Sequence, residues 1–486
     1  MTRGAIAPKT AVMRGEVGIP VEDLTPDQIS YIERKLTFKV KQWDDTPDVT
    51  VEGFSYEDGF LWVPRYFESE NLHQRIGEWG WTEGEPFSFS ISATLDPARG
   101  QTDAVPNTVE HLLQDSGGIL IAPTGTGKTL QGLVVGAHLG RFIGWPVYAG
   151  HMEDNVREHA HLIGLTDDDI GVVQSDRCDL GKPLTIMYIP SLLGRRYPDA
   201  LYDQIGTLVC DEVNRHAAPE WKKTISQFRA RYRLGMSADP KRKDGLDKLI
   251  EHAFGSVAHK SPRIRSESVK PPTVVTLFWR KSYSAQSYAK WKKVGGEWEQ
   301  GDTHPTKYDK VISEDIARNR MLAVEIRKAV ATGRKILCFS RFVEHLKVVE
   351  QLVKLPDSAV DRLAGVVEGD SPRYTTGLLT GSTKKKERSV VIEADILFTT
   401  FAMARDAFND PKRDTGVFMT PPGDPLQPLG RLREKVEWLA RRPLLWIDPF
   451  EDTKYARRKM HWRREKYDSL KLPIVEKVRD PNVFNA

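Results

Sequence analysis

The sequence ILIAPTGTGKT, residues 119–129, combines a short apolar run with a glycine-rich turn that ends in Lys128 and Thr129. The apolar run predicts a buried strand, and the spacing of apolar residues over 130–137 predicts a helix directly after the turn. Glycines in such a loop let backbone N–H groups and the positive helix end face phosphate groups. The stretch therefore predicts a nucleoside triphosphate site, with candidate binding residues Thr124, Gly125, Thr126, Gly127, Lys128 and Thr129.

Within this loop, Lys128 would place its charge on the β- and γ-phosphates, and Thr129 would hold Mg²⁺ through its hydroxyl. The plainer alternative is a glycine-bearing loop with an incidental lysine. The preceding strand and the following helix both favour the phosphate-binding interpretation.

Composition bounds the class of protein. The 486 residues have room for about three domains. Lysine and arginine number 71 against 67 acidic residues, so the formal charge of +4 does not by itself indicate a nucleic-acid-binding protein. Any basic surface must be local.

Cysteine use and hydropathy indicate a soluble protein of a reducing compartment. Cys178, Cys210 and Cys338 form no CxxC pair, and we expect them to be reduced. No run of about eighteen apolar residues occurs, and the first residues do not read as a signal segment. We expect a cytoplasmic protein, in the host cytoplasm if it is phage-encoded, with no membrane partner.

Residues 1–92 differ from the rest because they are rich in aromatics and show no alternation of strands and helices. Asp58-Gly59 predicts a hairpin turn between strands over 49–56 and 60–63. Alternation of Phe87, Phe89 and Ile91 predicts a half-buried strand. We interpret this region as a small α+β accessory domain, and its aromatics could serve equally as core or as nucleic-acid contacts.

Residues 93–268 and 269–448 alternate strands and helices, which predicts two α/β domains with parallel sheets in tandem. In the first, the apolar run 205–210 ends in Asp211 and Glu212. A strand that delivers two carboxylates beside a phosphate loop suits Mg²⁺ coordination by Asp211 and water activation by Glu212.

Residues 449–486 form a basic tail that we expect to be helical, with Tyr455 and Trp462 on one face. It contains Lys454, Arg457, Arg458, Lys459, Arg463, Arg464, Lys466 and Lys471. A solvated helix pinned by its aromatics and a helix that grips a duplex, with Arg458 and Arg463 on nucleic acid, are equally compatible with this pattern.

Two segments give a specific resemblance. DEVNRH, residues 211–216, resembles the DEVHR box, and GMSADPKRKDG, residues 235–245, resembles the GLSATPxRKDG segment of superfamily 2 DExH-type DNA helicases of the XPB-like and phage UvsW-like kind. The resemblance implies two RecA-like domains. It also implies that Gln101, in DPARGQTDAV, reads adenine, which makes ATP the expected nucleotide.

The second α/β region extends the resemblance. KILCFSR (335–341) resembles the strand that opens the family's second RecA-like domain, and LLTGSTKKKER (378–388) and ADILFTTFAM (394–403) resemble its strand-binding segments. Nucleic-acid contacts are thereby implied for Arg341, Thr380, Gly381, Thr399 and Thr400. QPLGRLR, residues 427–433, resembles the motif QxxGRxxR, which implies catalytic roles at the γ-phosphate for Gln427, Arg431 and Arg433.

Several positions depart from the family pattern. Asn214 replaces a histidine, Asp239 replaces a threonine, and Ala407 and Asn409 stand where a glycine and an aspartate are expected. Glu434 occupies the place of the last arginine of QxxGRxxR. Residues 147–155 also lack a VPT-like segment. These departures bear on the coupling of hydrolysis to movement more than on ATP binding.

The resemblance implies an ATP- and Mg²⁺-dependent, DNA-stimulated helicase or translocase. It would unwind, anneal or branch-migrate single-stranded, duplex or branched DNA in recombination, repair or fork rescue, and RNA is a less favoured substrate. We expect a monomer or weak oligomer with recombination or replication partners. Two alternatives stay open: the motor subunit of a restriction-type nuclease complex, and an ATP-binding nucleic-acid-binding protein with little turnover.

Overall fold

The structure is a computed structural model that describes residues 10–40, 49–123, 126–148, 150–213, 223–238, 246–262, 272–294, 297–355, 374–403, 413–422, 425, 428 and 443–484. The chain divides into two compact units, Met1–Ile264 and Arg265–Ala486. The predicted boundary at 268/269 falls among residues outside this description.

The first unit begins with a small five-stranded sheet. In chain order its region contains β1 (Ala11–Met13), β2 (Val17–Pro20), α1 (Pro26–Leu36), β3 (Thr37–Val40), β4 (Val49–Glu52), β5 (Ser55–Glu57), β6 (Phe60–Val63), α2 (Ser69–Leu72) and β7 (Ile76–Trp79). The strand order is β5-β6-β2-β1-β7, and β3 and β4 form a separate antiparallel pair. Thr25 caps α1 by accepting from the Gln28 N–H, and the buried side of this helix closes the small core.

The hairpin prediction is confirmed at its turn. Glu57 pairs with Phe60, and the two residues between them, Asp58 and Gly59, have φ of +50° and +81°. Positive φ at both positions is what a two-residue turn between twisted strands requires. The first strand is shorter than predicted, because β4 pairs with β3 and only β5 pairs with β6.

The strand predicted over Phe87, Phe89 and Ile91 is wrong. No strand is assigned there, and the nearest ladder contact is a single bridge between Pro86 and Arg141. The Phe87 and Phe89 rings lie 4.8 Å apart and pack against the core of the following sheet. The alternation therefore reflects an extended segment that packs by its side chains.

The larger sheet of the first unit has eight strands. Its region contains α3 (Gln101–Asp115), β8 (Gly117–Ile121), α4 (Lys128–His138), β9 (Ile143–Val147), α5 (Gly150–Ala160), β10 (Ile170–Gln174), β11 (Arg177–Cys178), β12 (Leu184–Tyr188), α6 (Ile189–Gly194), α7 (Asp199–Gln204), β13 (Thr207–Cys210), β14 (Tyr232–Ser237), α8 (Asp247–Phe254) and β15 (Val257–Lys260). The order is β11-β10-β12-β9-β13-β14-β8-β15, and every pairing except β10–β11 is parallel. Helices on such a sheet leave its strands buried on both faces.

The small sheet is fastened to the large one through Arg65. Its fully buried guanidinium donates to the carbonyl oxygens of Ala230 at 2.8 Å, Arg231 at 3.1 Å and Arg14 at 2.6 Å. These bonds join the β1–β2 turn to the residues that lead into β14. The predicted accessory region is thus packed within the first unit.

The second unit holds a seven-stranded sheet in which every pairing is parallel. Its region contains β16 (Thr273–Trp279), β17 (Ala289–Val294), β18 (Glu297–Thr303), α9 (Pro305–Ser313), α10 (Ile316–Ala331), β19 (Ile336–Ser340), α11 (Val343–Lys354), β20 (Thr376–Leu379), α12 (Lys385–Ile392), β21 (Ile396–Thr400), β22 (Thr415–Phe418), β23 (Leu445–Glu451), α13 (Lys454–Ser469) and β24 (Ile474–Arg479). The order is β20-β21-β19-β22-β23-β16-β24, with β17 and β18 as a separate pair. The predicted fold class, two parallel α/β sheets in tandem, is confirmed.

The separate basic tail needs correction. Its predicted start at residue 449 falls inside β23, and β24 extends the sheet by pairing with β16 from Val274↔Ile474 to Trp279↔Arg479. Residues 449–484 are therefore an integral part of the second sheet. Among the described residues, no helix is long and apolar enough to cross a bilayer.

Candidate functional site

The phosphate-type loop and the paired carboxylates meet at one edge of the first sheet. β14 lies between β8 and β13, with Ser237 beside Ile121 and Gly235 beside Cys210. The carboxyl ends of parallel strands share one edge of a sheet, and ligands of such folds bind there. The chain leaves β8 into the glycine loop and leaves β13 into Asp211 and Glu212, so both predicted elements lie at this edge.

The loop turns into α4 at Gly127. Gly127 has φ of +78°, and a Cβ there would lie 2.7 Å from Nε2 of Gln101. Both facts favour glycine, because a side chain is strained at positive φ and a Cβ would displace the Gln101 amide. Lys128 and Thr129 form the first turn of α4, and both are largely buried. The first N–H groups of a helix lack intrahelical partners, so this end can bind an anion.

Lys128 and Glu212 face each other. The Lys128 Nζ lies 3.6 Å from the Glu212 Oε1, which is ion-pair contact but longer than a good hydrogen bond. Glu212 has φ of +54°, and its N–H donates to Asp211 Oδ1 at 2.8 Å. A non-glycine residue in the left-handed region at a functional edge is strained backbone that fixes the direction of its side chain. The arrangement brings together the predicted Lys128, Asp211 and Glu212.

Gln101 anchors the loop. Its Oε1 accepts from the Asp96 N–H at 2.8 Å, and its Nε2 donates to the Thr126 carbonyl at 2.6 Å. An amide side chain has two donor hydrogens and two acceptor lone pairs, and the buried Gln101 side chain uses one of each in these bonds. The predicted adenine-reading role of Gln101 stays a prediction.

Two loop-supporting residues were missed in the sequence. Gln131 Nε2 donates to the same Thr126 carbonyl at 2.9 Å, and Asn155 Nδ2 donates to Thr129 Oγ1 at 2.6 Å. Gln131 lies one turn after Lys128, so helical spacing could have indicated it. Asn155 lies on α5, which follows β9, a neighbour of β13. Asn155 comes close to Thr129 only through the order of the strands in the sheet, which the sequence does not show.

The donor atoms at this edge fit a Mg²⁺–nucleotide complex. Thr129 offers a hydroxyl and Asp211 a carboxylate, and Mg²⁺ prefers such oxygen ligands completed by phosphates and water. Among the described residues, no group of three His, Cys, Asp or Glu side chains could hold a metal by itself. The donor set therefore suits a metal that arrives with a phosphate group.

The second sheet gathers four of the predicted nucleic-acid contacts at its own carboxyl edge. β20, β21 and β19 are adjacent, with Leu379 beside Thr399 and Thr400 beside Ser340. Thr380, Thr400 and Arg341 thus follow or end neighbouring strands, and Gly381 is exposed beside Thr380. Thr380 is itself buried, and its hydroxyl bonds with Ser382 Oγ at 2.9 Å.

Arg341 is half-exposed and held by Asp309. Its side-chain Nε lies 2.8 Å from Asp309 Oδ2, and its backbone N–H donates to Thr420 Oγ1 at 3.0 Å. Burial raises the pKa of Asp309 to about 7, and Arg341 acts against that rise. The terminal guanidinium nitrogens can still reach a ligand.

Two predicted nucleic-acid contacts need correction. Thr399 is fully buried within β21, facing the sheet core and not the edge. Arg463 is also buried, with Nε 2.8 Å from Asp448 Oδ2, which accepts from the Tyr467 hydroxyl at 2.7 Å. Neither side chain can reach a nucleic acid in this structure. Arg458, on the same helix as Arg463, is exposed.

Some predicted residues lie outside the part of the chain that the structure describes. These are Thr124, Gly125, Asn214, Asp239, Ala407, Asn409, Gln427, Arg431, Arg433 and Glu434.

Comparison with known proteins gives distant relatives that are helicases by name. No protein-family model matches the chain. A protein of Acanthamoeba polyphaga mimivirus named an ATP-dependent RNA helicase, L396, is 22% identical over 440 residues, which cover 88% of this chain and 80% of the viral protein. The DNA 3'-5' helicase XPB of Kineococcus radiotolerans is 26% identical over 216 residues, covering 40% of this chain and 37% of that protein.

A solved structure shares the fold. A fragment of an HsdR subunit of a type I restriction enzyme from Vibrio vulnificus aligns with a TM-score of 0.55 at 15% identity, covering 79% of this chain and 68% of that chain. This likeness concerns the fold alone. The shared fold, the helicase relatives and the phosphate-loop edge all agree with the resemblance that the motifs carry. The chain is homologous to proteins named as helicases, and its motifs resemble those of superfamily 2.

Proposed function

We propose that this protein hydrolyses ATP to move along DNA and thereby unwinds, anneals or branch-migrates it, in the cytoplasm and in the service of recombination, repair or fork rescue. The observation that carries the proposal is the contact between Lys128 and Glu212 beside Asp211, at the edge where the glycine loop leaves β8. A cation for phosphates and a carboxylate for water are the two parts that phosphoryl transfer needs at one place.

In this proposal Lys128 and the N–H groups at the start of α4 bind the β- and γ-phosphates. Thr129 and Asp211 would hold Mg²⁺, which would supply positive charge to the phosphate oxygens. When the phosphates attract Lys128, Glu212 loses its counterion. Its carboxylate is then free to accept a proton from the attacking water. Gln427, Arg431 and Arg433 are proposed to stabilise the γ-phosphate.

Nucleic acid would be gripped through its backbone. Arg341, Gly381 and Thr400 lie at one sheet edge, where a guanidinium, hydroxyls and loop N–H groups suit phosphates without reading bases. The mimivirus relative is named for RNA and the Kineococcus relative for DNA. We propose DNA as the substrate on the resemblance of residues 235–245 to a DNA helicase segment.

The test is steady-state ATP hydrolysis titrated with single-stranded, duplex, forked and four-way-junction DNA, with RNA of matched length as the comparison. We expect DNA to stimulate hydrolysis and Lys128→Ala to abolish it without changing the melting temperature. RNA stimulation that exceeds DNA stimulation would reassign the substrate. Absence of turnover in the wild-type chain would favour the alternative of a nucleic-acid-binding protein that only binds ATP.

A further inference from the structure

A series of aromatic rings lies at the β7 end of the N-terminal sheet. We call Tyr66, His73, Trp79 and Trp81 the aromatic ladder. Successive ring centroids are 6.2 Å apart from Tyr66 to His73, 5.7 Å from His73 to Trp79, and 4.6 Å from Trp79 to Trp81. The Arg231 guanidinium lies 5.6 Å from the Trp81 ring. The rings are tilted or edge-on to one another, at 59°, 75° and 49°, so the ladder is a chain of aromatic contacts that ends in a cation.

Trp79 is the exposed member of the ladder. It leaves 44% of its surface in water, although Trp81 and His73 hold its ring in place. The backbone is fixed as well, because Trp79 is in register with Met13 and the next N–H, of Gly80, donates to the Met13 carbonyl at 2.6 Å. A ring that is held on one side and open on the other can bind a flat ligand without losing further conformational entropy.

Core packing does not account for this exposure. The tryptophans that stabilise the larger sheets are buried completely, namely Trp145, Trp279 and Trp446. β7 is also the last strand in the order of the described small sheet, so the ladder stands at a sheet end and not between layers.

The surroundings favour a ligand that is both aromatic and anionic. Arg14 is exposed, and its side chain lies beside Gly80, next to Trp79. Burial lowers the pKa of His73, so its ring is neutral near pH 7 and the ladder itself carries no net positive charge. The Glu78 carboxylate also lies here, with Oε1 3.8 Å from the position of a Cβ at Gly80, so Arg14 offsets its charge beside the ring. A base can stack on the exposed face of Trp79 while its phosphate contacts the exposed Arg14 guanidinium.

We propose that Trp79 is a stacking platform for a base of single-stranded nucleic acid, and that Arg14 contacts the adjoining phosphate. This inference rests on the proposed function, since it supplies that function with a second contact to the strand. Every base has a π face, so the platform would accept any sequence.

The test is equilibrium binding of a fluorescent single-stranded oligonucleotide to the full chain without nucleotide. Loss of one stacked base weakens binding about 5- to 100-fold. We therefore expect that loss in Trp79→Ala, with most affinity kept in Trp79→Phe. Tyr56→Ala is the matched control, because Tyr56 is 49% exposed on β5, at the opposite end of the same sheet. It should bind like wild type.

Two further readouts separate stacking from a structural effect. An oligonucleotide with abasic positions should bind wild type and Trp79→Ala equally, and the salt dependence should be unchanged in Trp79→Ala but shallower in Arg14→Ala. Equal affinity of wild type and Trp79→Ala for the intact strand would overturn the inference. So would loss of self-association in Trp79→Ala with unchanged strand binding, since the ring would then serve a second copy of the chain. A wild-type chain that binds no nucleic acid would refute the proposed function itself.

Discussion

The two parallel sheets end in opposite ways at their carboxyl edges. In the first sheet the charged groups at the edge make long or strained contacts: Lys128 reaches Glu212 at 3.6 Å, and Glu212 has a left-handed backbone. In the second sheet Arg318 lies 2.8 Å from Glu451, Tyr308 donates to the same carboxylate at 2.7 Å, and all three side chains are buried.

The difference separates charges that await a ligand from charges that hold a domain together. A fully buried ion pair is closed off from solvent and has little to offer a substrate. Lys128 and Glu212 are at ion-pair distance but share no good hydrogen bond. Lys128 can therefore leave Glu212 for a phosphate, and Glu212 can bind water. The same architecture thus carries a reactive edge in the first unit, whereas in the second unit the Arg318–Glu451 pair is structural and the proposed nucleic-acid contacts are other residues of that edge.

The largest effect on ATP hydrolysis is expected from a change at Glu212, at the reactive edge. We expect Glu212→Gln to reduce single-turnover ATP hydrolysis by about 10²- to 10⁴-fold, because the amide cannot accept the proton of the attacking water. ATP binding should persist, since Lys128 keeps its charge and loses a competitor. Glu110→Gln, an exposed change on α3, is the control and should hydrolyse ATP normally. Hydrolysis at the wild-type rate would remove Glu212 from the mechanism.

Loss of a buried ion pair in the second unit should lower stability. Arg463→Ala leaves Asp448 buried without its cation, which costs about 3–5 kcal/mol of stability. Chemical denaturation should show this loss. On the same helix, the exposed Arg458→Ala should leave stability unchanged and weaken DNA binding with a smaller salt slope.

A similar destabilisation from both variants would contradict the assignment of Arg463 to structure and Arg458 to the surface. Deletion of the tail cannot make this distinction, because it would remove β24 and the partner of Asp448 together.

The sequence predicted the parts of the site that consecutive residues build. The loop at 119–129 and the carboxylates after β13 depend on local spacing, so their strands and the helix after the loop could be recognised directly. Arg463 could not be separated from Arg458, because helical periodicity does not show which face meets Asp448. Asp309 and Asn155 were missed for the same kind of reason: their partners, Arg341 and Thr129, are brought to them only by tertiary packing.

Asp309 should make the second unit sensitive to pH. Burial raises its pKa to about 7, whereas an unfolded aspartate titrates near 3.9. Between these values the folded state binds a proton that the unfolded state lacks, so stability falls as pH rises from about 4 to about 7. The loss amounts to at most about 4 kcal/mol.

Denaturant unfolding at pH 5 and pH 8 measures this effect. Other groups titrate as well, so the informative quantity is the difference between wild type and Asp309→Asn. We expect wild type to lose more stability than the variant over this range. Parallel pH profiles for the two proteins would show that Asp309 stays ionised throughout, held by Arg341.

The smallest expected effect sharpens the description of the reactive edge. Asn155 donates to Thr129 Oγ1 at 2.6 Å, and this bond fixes the direction in which the hydroxyl oxygen presents its remaining lone pair. A single hydrogen bond contributes about 0.5–1.5 kcal/mol net, so Asn155→Ala should weaken binding of a Mg²⁺–ATP analogue by about 2- to 10-fold. The melting temperature should change little, because the bond lies at the edge and not in the sheet core.

A double-mutant cycle decides whether Asn155 acts through Thr129: in a Thr129→Val background, Asn155→Ala should have no further effect on analogue binding. Additive losses in the double variant would show that Asn155 touches the nucleotide or its metal by itself, and would make α5 a direct wall of the site.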